Sequence, residues 1–165
     1  MLSLYRRGGF TLIELLIVIA IIAIIAGVAF VALDPLSRFQ DARDAKRWSD
    51  VTAVLSGIKV QQVDRRGSYL WSITNATAGT NYQISNATTS ADCNLNCSAV
   101  TAVANCINLQ GLADDGYLAS LPVSPNGAGS WTSILTGYYL SRNANGSITV
   151  VACDPEGGSP ITVTR

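Results

Sequence analysis

The feature that most limits the fold of this chain is an uninterrupted apolar run near its N-terminus. From Leu15 to Leu33 the sequence LLIVIAIIAIIAGVAFVAL contains no charged or hydrogen-bonding side chain. Its length is close to the roughly 20 residues that a helix needs to cross a bilayer. It also exceeds the roughly 7 to 15 apolar residues of a cleaved secretory signal. We therefore predict a membrane-spanning helix.

Two positive charges, Arg6 and Arg7, precede this run. Because basic residues stay on the cytoplasmic side, they keep the N-terminus inside and send everything after Leu33 across the membrane. The sequence therefore predicts a single-pass protein of the inner (cytoplasmic) membrane with an extracytoplasmic head.

The 4 cysteines all follow the apolar run, in the part predicted to be extracytoplasmic. They are Cys93, Cys97, Cys106 and Cys153. An oxidising compartment favours disulfides, and the Cys93–Cys97 spacing is one residue longer than in the common zinc knuckle. Three connectivities are possible. We prefer Cys106 with Cys153, leaving Cys93 with Cys97, because closing the longer loop constrains the unfolded chain more.

Glu14 is anomalous because a carboxylate beside an apolar span costs several kcal/mol unless it is neutralised or paired. Arg7 would lie about 10 Å away along a helix axis, too far to pair directly. One interpretation is a carboxylate that reaches the cytoplasmic membrane surface. The other is a functional residue whose partner the composition does not identify.

The residues around Glu14 supply a family resemblance. The stretch Arg6-Arg7-Gly8-Gly9-Phe10-Thr11-Leu12-Ile13-Glu14, followed by an apolar helix, resembles the class III signal of type IV pilins and pseudopilins. The resemblance implies that a prepilin peptidase cuts after Gly9 and that the new N-terminal residue, Phe10, is N-methylated. It also implies that Glu14 pairs with the Phe10 amine of a neighbouring subunit. Two charges that are each costly in an apolar core offset one another only when the subunits stack correctly.

The stretch after Leu33 is predicted to continue as an amphipathic helix. Trp48, Val51, Leu55 and Ile58 recur at steps of three and four and form one apolar stripe. Three oppositely charged pairs fall on the other side and are interpreted as a solvated face: Arg38 with Asp41, Asp44 with Arg47, and Lys46 with Asp50.

The chain organisation follows from these elements. We predict a leader at 1–9, a long helix at 10–66 and a head at 67–165; the helix would be membrane-spanning over about 10–33 and amphipathic over about 36–64. Gly27 and Pro35 are expected to interrupt it, Pro35 by removing a backbone donor. By resemblance, the segment between them would loosen in an assembled filament.

The head is predicted to be α+β, with a small antiparallel sheet laid on the helix stripe. Thr80–Ser85 is a short strand, and the stretch from Cys106 is interpreted as a short helix capped by Gly116. Two β-rich runs joined through Asn145-Gly146 form a hairpin, and 161–164 could add a strand.

Composition argues against an enzyme. The chain has 0 histidines, which removes the commonest general base and the commonest zinc ligand. The 11 basic and 11 acidic residues cancel, so no specific nucleic-acid surface is predicted. No catalytic residue, cofactor or metal site is predicted.

Two functional hypotheses remain. The first is a structural subunit of a type IV pilus that serves adhesion, motility or DNA uptake. The second is a pseudopilin of a type II secretion system. Major pseudopilins often carry a late calcium loop, for which Asp154 and Glu156 are a thin supply of oxygen ligands. By resemblance, the partners would be further pilin copies, a prepilin peptidase, an assembly ATPase and a platform protein.

Overall fold

The structure is a computed structural model that describes residues 9–87, 93, 96–127 and 129–165. The leader arginines Arg6 and Arg7 lie outside the described residues. The chain divides after Arg38 into two compact units.

The first unit contains helix α1, Leu12–Leu33, which is 22 residues long. At 1.5 Å per residue this is about 33 Å, close to the thickness of a bilayer hydrocarbon core. Every residue of α1 is described, and none of them is buried. A helix that is apolar on all sides belongs in a membrane or inside other protein. The helix is long and apolar enough to cross a membrane.

Helix α1 runs through Gly27 without a break, so the interruption expected at this glycine is not observed. A single glycine weakens a helix by only about 1 kcal/mol, which the helix-forming neighbours outweigh. The break lies at Asp34, whose backbone is left-handed with φ 36°. Pro35 then starts helix α2, Pro35–Asp64, at the position where its missing N–H is least costly.

The second unit, from Phe39 onward, holds a five-stranded sheet in the order β2-β1-β3-β4-β5. The strands are β1 Asn81–Ser85, β2 Cys106–Asn108, β3 Tyr138–Arg142, β4 Ile148–Ala152 and β5 Thr162–Thr164. Two short helices, α3 Trp71–Thr74 and α4 Gln110–Asp114, lie between the strands in sequence. The predicted α+β class, the hairpin β3–β4 and the last strand are confirmed.

Two details of the predicted head were wrong. The sheet is mixed, because β2 pairs parallel to β1, with Ile84 opposite Ile107. Cys106 therefore starts a strand, and the helix begins only at Gln110. The apolar Ile107 is buried by its neighbours in the sheet rather than by a helical face.

One face of the sheet packs on α2 to form the main core. The α2 side chains are Val51, Val54, Leu55 and Ile58, and they join Ile84, Ile107, Leu140, Ile148 and Val150 of the strands. Trp48 was expected in this stripe, but its side chain is 45% exposed. The residue one helical turn before Val51 is Arg47, and it is Arg47 that is buried.

The other face of the sheet carries a smaller cluster of Cys97, Val100 and Trp131. Two disulfides are formed: Cys93–Cys106, which ties the preceding loop to β2 with a Cα–Cα distance of 5.2 Å, and Cys97–Cys153, with 5.1 Å. The expected pairing of Cys106 with Cys153 was wrong.

The strand order explains this correction. Cys106 lies on β2, and Cys153 directly follows β4, with β1 and β3 between them. Three strand spacings separate them by about 14 Å, whereas a disulfide needs Cα atoms within about 7 Å. The loop-length argument used for the prediction contains no information on strand order.

Candidate processing and assembly site

The start of α1 is organised by Thr11 and Glu14. Thr11 caps the helix: its hydroxyl accepts from the Glu14 N–H at 3.3 Å. In return, Glu14 Oε2 accepts from the Thr11 N–H at 2.9 Å and from the Thr11 hydroxyl at 2.8 Å. This reciprocal capping box satisfies donors that the first helical turn would otherwise leave free. It also fixes the Glu14 carboxylate at the very start of the apolar helix.

The bond between Gly9 and Phe10 lies immediately before this cap. Gly9 has open space around its Cα, and the Phe10 side chain is 84% exposed. A cut at this bond would create a positive amine one residue from Thr11, beside the turn that carries Glu14. The arrangement offers a carboxylate, an accessible peptide bond and an uncovered apolar helix. These features suit processing and association, and they contain no nucleophile with an activating base.

The comparisons with known proteins bear on this same segment. The family model described as the prokaryotic N-terminal methylation motif matches residues 4–30. A search of curated proteins and a search of solved structures found no match to the chain. The chain thus carries the class III signal of type IV pilins and pseudopilins, and the motif supports a pilin or pseudopilin-type protein that is processed by prepilin peptidase and assembles with other pilins.

A second group of interacting side chains was predicted only in part, since the sequence analysis paired Asp44 with Arg47 but not with Glu156. The Arg47 cluster consists of Arg43, Asp44 and Arg47 on α2 and Glu156 in the loop after β4. Arg47 Nη1 lies 2.7 Å from Asp44 Oδ1 and 2.9 Å from Glu156 Oε1, and Arg43 pairs with both carboxylate oxygens of Glu156. Asp44 accepts the backbone N–H groups of Glu156 and Gly157. The cluster therefore fastens the loop after β4 to α2.

The Arg47 side chain is fully buried and well satisfied. Its Nε donates to Ser124 Oγ at 3.0 Å, and its Nη2 donates to the Pro125 carbonyl at 3.0 Å. The Asp44–Arg47 pair was predicted, but on a solvated face, and that part was wrong. Lys46 and Asp50 also pair, and Asp50, only 4% exposed, accepts from the Tyr138 hydroxyl at 2.7 Å. The charged side of α2 is thus partly covered by the head.

The charges shift the titration of these groups. Hydrogen bonds from Arg43, opposed by burial and supported by Arg47, lower the pKa of Glu156 to about 2. Burial acts to raise the pKa of Asp44, but the amides of Glu156 and Gly157 and the Arg47 guanidinium outweigh it, so this pKa is lowered. Burial, followed by the bond to Asp50, raises the pKa of Tyr138. All three groups hold their present charge state at neutral pH.

Within the described part of the chain, no group of three or more His, Cys, Asp or Glu residues is placed to hold a metal ion. Glu156, one of the two late acidic residues, already pairs with Arg43 and Arg47. Its carboxylate is thus committed to the protein's own cations.

A sequence signal for the Arg47 cluster existed. Arg47, Val51, Val54, Ile58 and Gln61 follow a helical period of three and four, and all five are buried. Extending the apolar stripe by one turn would have placed Arg47 on the covered face. Its partner Glu156 is 109 residues away in sequence, counting from 47 to 156, and no local pattern identifies it.

Proposed function

We propose that this chain is a structural subunit of a type IV pilus. It is made with a leader at 1–9, is cut after Gly9, and polymerises through the helix that begins at Phe10. The observation that carries the proposal is the start of α1: an accessible Gly9–Phe10 bond lies just before the helix, the Glu14 carboxylate lies in its first turn, and none of its residues is buried.

The exposure of α1 supports polymerisation. Its apolar side chains, such as Ile24 at 68% and Phe30 at 68%, lack cover from the described part of the chain. A bilayer covers them while the subunit is stored, and other copies of the helix cover them in a filament. The new Phe10 amine then pairs with the Glu14 carboxylate of a neighbouring copy. This pair forms only when the two subunits are stacked in the correct register. A heterologous contact of this kind does not close into a ring, so it grows a fibre.

The rest of the proposal concerns the machinery and location. The region 67–165 forms the outer surface of the fibre and mediates adhesion, motility or DNA uptake. A cytoplasmic assembly ATPase and an inner-membrane platform protein extract the subunit from the membrane. The Gly27–Pro35 stretch loosens during this step.

The experiment compares the wild type with Glu14→Ala and Thr11→Ala. Intact mass and N-terminal peptide mass are measured on membranes and on material sheared from the cell surface. We expect a methylated Phe10 N-terminus and wild-type protein in the sheared fraction. Glu14→Ala should be cleaved yet depleted from that fraction.

The Thr11→Ala variant is the matched control. It removes the same capping box but keeps the carboxylate, so it should still enter the sheared fraction. Equal depletion of both variants would assign Glu14 to helix capping and contradict the pairing role. A leader that remains attached through residue 9 would overturn the prepilin assignment. Cleavage without any sheared polymer would favour a secretion pseudopilin instead.

A further inference from the structure

An open groove of about 770 Å³ lies between α3, α4 and the β2 edge of the sheet. Its volume falls in the range typical of small-molecule sites. Apolar Leu70, Ala76 and Ile107 contribute to its lining, and Trp71 on α3 is 79% exposed. An indole this exposed is a large apolar face that folding leaves available for a ligand.

The polar part of the lining consists mainly of amides. Asn75, Asn86, Asn108 and Gln110 all line the groove. Gln110 Nε2 donates to Asp114 Oδ1 at 3.0 Å, and no other described residue bonds the Gln110 side-chain oxygen or the second Asp114 oxygen. Asn75 Nδ2 donates to the Trp71 carbonyl at 2.9 Å, and its side-chain oxygen has no bond from the described residues. The Asn86 side-chain amide has no partner in the described part of the chain. Amides both donate and accept, as hydroxyl groups do.

The charge of the groove narrows the ligand class. Among its lining residues, all of which are described, there is no Lys or Arg, and Asp114 is the one acidic side chain. Phosphates and other anions therefore have no cation to pair with. A neutral ligand with many hydroxyl groups matches the amides without leaving a charge unpaired.

An extended peptide fits this groove less well. A peptide that adds a strand needs the free backbone edge of β2. Here the Asn108 carbonyl accepts from the Ser72 hydroxyl at 2.8 Å, and the Cys106 N–H donates to the Ala104 carbonyl at 2.9 Å. Two of the backbone groups at this edge are therefore already occupied by the protein itself.

We infer that this groove binds a neutral carbohydrate. One face of a sugar ring carries C–H groups that stack on the Trp71 indole, and the ring hydroxyls exchange hydrogen bonds with Asn86, Gln110 and Asp114. The inference does not depend on filament assembly, since the groove lies within a single copy of the chain.

The test uses the full chain in micelles of an amine-oxide detergent, which has no sugar headgroup, after intact mass has shown that no glycan is attached. The probes are cellotriose, chitotriose, mannotriose and N-acetyllactosamine, with sialyllactose as the anionic comparison. Binding is measured by isothermal titration calorimetry. We expect at least one neutral probe to bind, and sialyllactose to bind more weakly because its carboxylate meets Asp114.

Two variants locate the site. Trp71→Ala should weaken binding by about tenfold, in line with the free energy of aromatic stacking. Gln110→Ala should also weaken it. The matched control is Trp48→Ala, which removes the exposed tryptophan of α2 outside the groove and should leave affinity unchanged. Far-ultraviolet circular dichroism checks that each variant is folded.

Two results would overturn the inference. One is that no neutral probe binds the wild type. The other is that Trp71→Ala and Gln110→Ala both keep the affinity of the wild type.

Discussion

Replacing the buried Arg47 tests the energetic role of the Arg47 cluster. The Arg47→Met variant keeps most of the side-chain volume and removes the charge. Removing one partner of a buried ion pair commonly costs about 3 to 5 kcal/mol, because the other charge stays buried. Here Glu156 still holds Arg43, and Asp44 still accepts two backbone N–H groups. Neither carboxylate is left wholly unpaired, so the loss should lie at the low end, about 3 kcal/mol.

The matched control is Arg65→Met. Arg65 pairs with Asp115 at 2.7 Å, but the two side chains are 46% and 39% exposed. An exposed pair contributes about 0 to 1 kcal/mol, so this variant should be nearly neutral. The same charge is thus removed from a buried position on α2 and from an exposed position just after the end of α2.

The assay is urea unfolding of the full chain in micelles, followed by tryptophan emission. Trp131 is 5% exposed, whereas Trp48 is 45% and Trp71 79% exposed, so most of the change in emission on unfolding should come from Trp131 in the head. A loss below about 1 kcal/mol for Arg47→Met would refute the reasoning, since it would equal the exposed control. The double variant with Glu156→Gln should lose less stability than the sum of the two single variants, because each single variant already breaks the Arg47–Glu156 pair.

Three further predictions follow from the head. Because the pKa of Glu156 is lowered to about 2, its contribution to stability should be present above about pH 4.3 and lost as pH falls toward 2; unfolding of Glu156→Gln at several pH values should lack this component. Gly137→Ala should lower the free energy of unfolding by several kcal/mol, because φ is +80° and the new Cβ would lie 2.6 Å from the Trp131 ring. The control Gly146→Ala, at φ +83° in open space, should lower it by only about 1 kcal/mol, and thermal unfolding measures both. Loss of the Cys97–Cys153 disulfide should lower the free energy of unfolding by about 4 kcal/mol and loss of Cys93–Cys106 by about 3 kcal/mol, because their sequence separations are 56 and 13. Peptide mapping after thermolysin digestion without reductant should recover these two pairs.

The parts of this molecule that the sequence predicts well are those set by neighbouring residues. The apolar run of α1 and the Asn145-Gly146 hairpin are each specified within a few residues. The Thr11–Glu14 capping box is equally local, although its spacing was not interpreted as a cap. Local patterns suffice because helix hydrogen bonds and two-residue turns involve residues close in the chain.

The parts that were missed depend on strand order. The parallel placement of β2 beside β1 decides the disulfide pairing, and it also creates the groove at Trp71. Alternation within a three-residue strand does not identify its neighbour or its direction. The burial of Arg47 likewise depends on Glu156, which a loop brings back from the far end of the chain.

The Arg47 cluster and the Cys97–Cys153 disulfide act on the same loop from two sides. The cluster fastens the loop after β4 to α2, and the disulfide, at the start of that loop, fastens it to the segment before β2. In the proposed assembly, the machinery moves the subunit by its helix, and the head follows. The apolar side chains from Val51 to Ile58 hold α2 against the sheet but do not fix one exact position along it. The ion pairs have strict geometry, so they keep α2 from sliding relative to the loop after β4. An Arg47→Met subunit should therefore keep its fold in mild conditions yet shear from filaments more readily than Arg65→Met, which leaves this attachment intact.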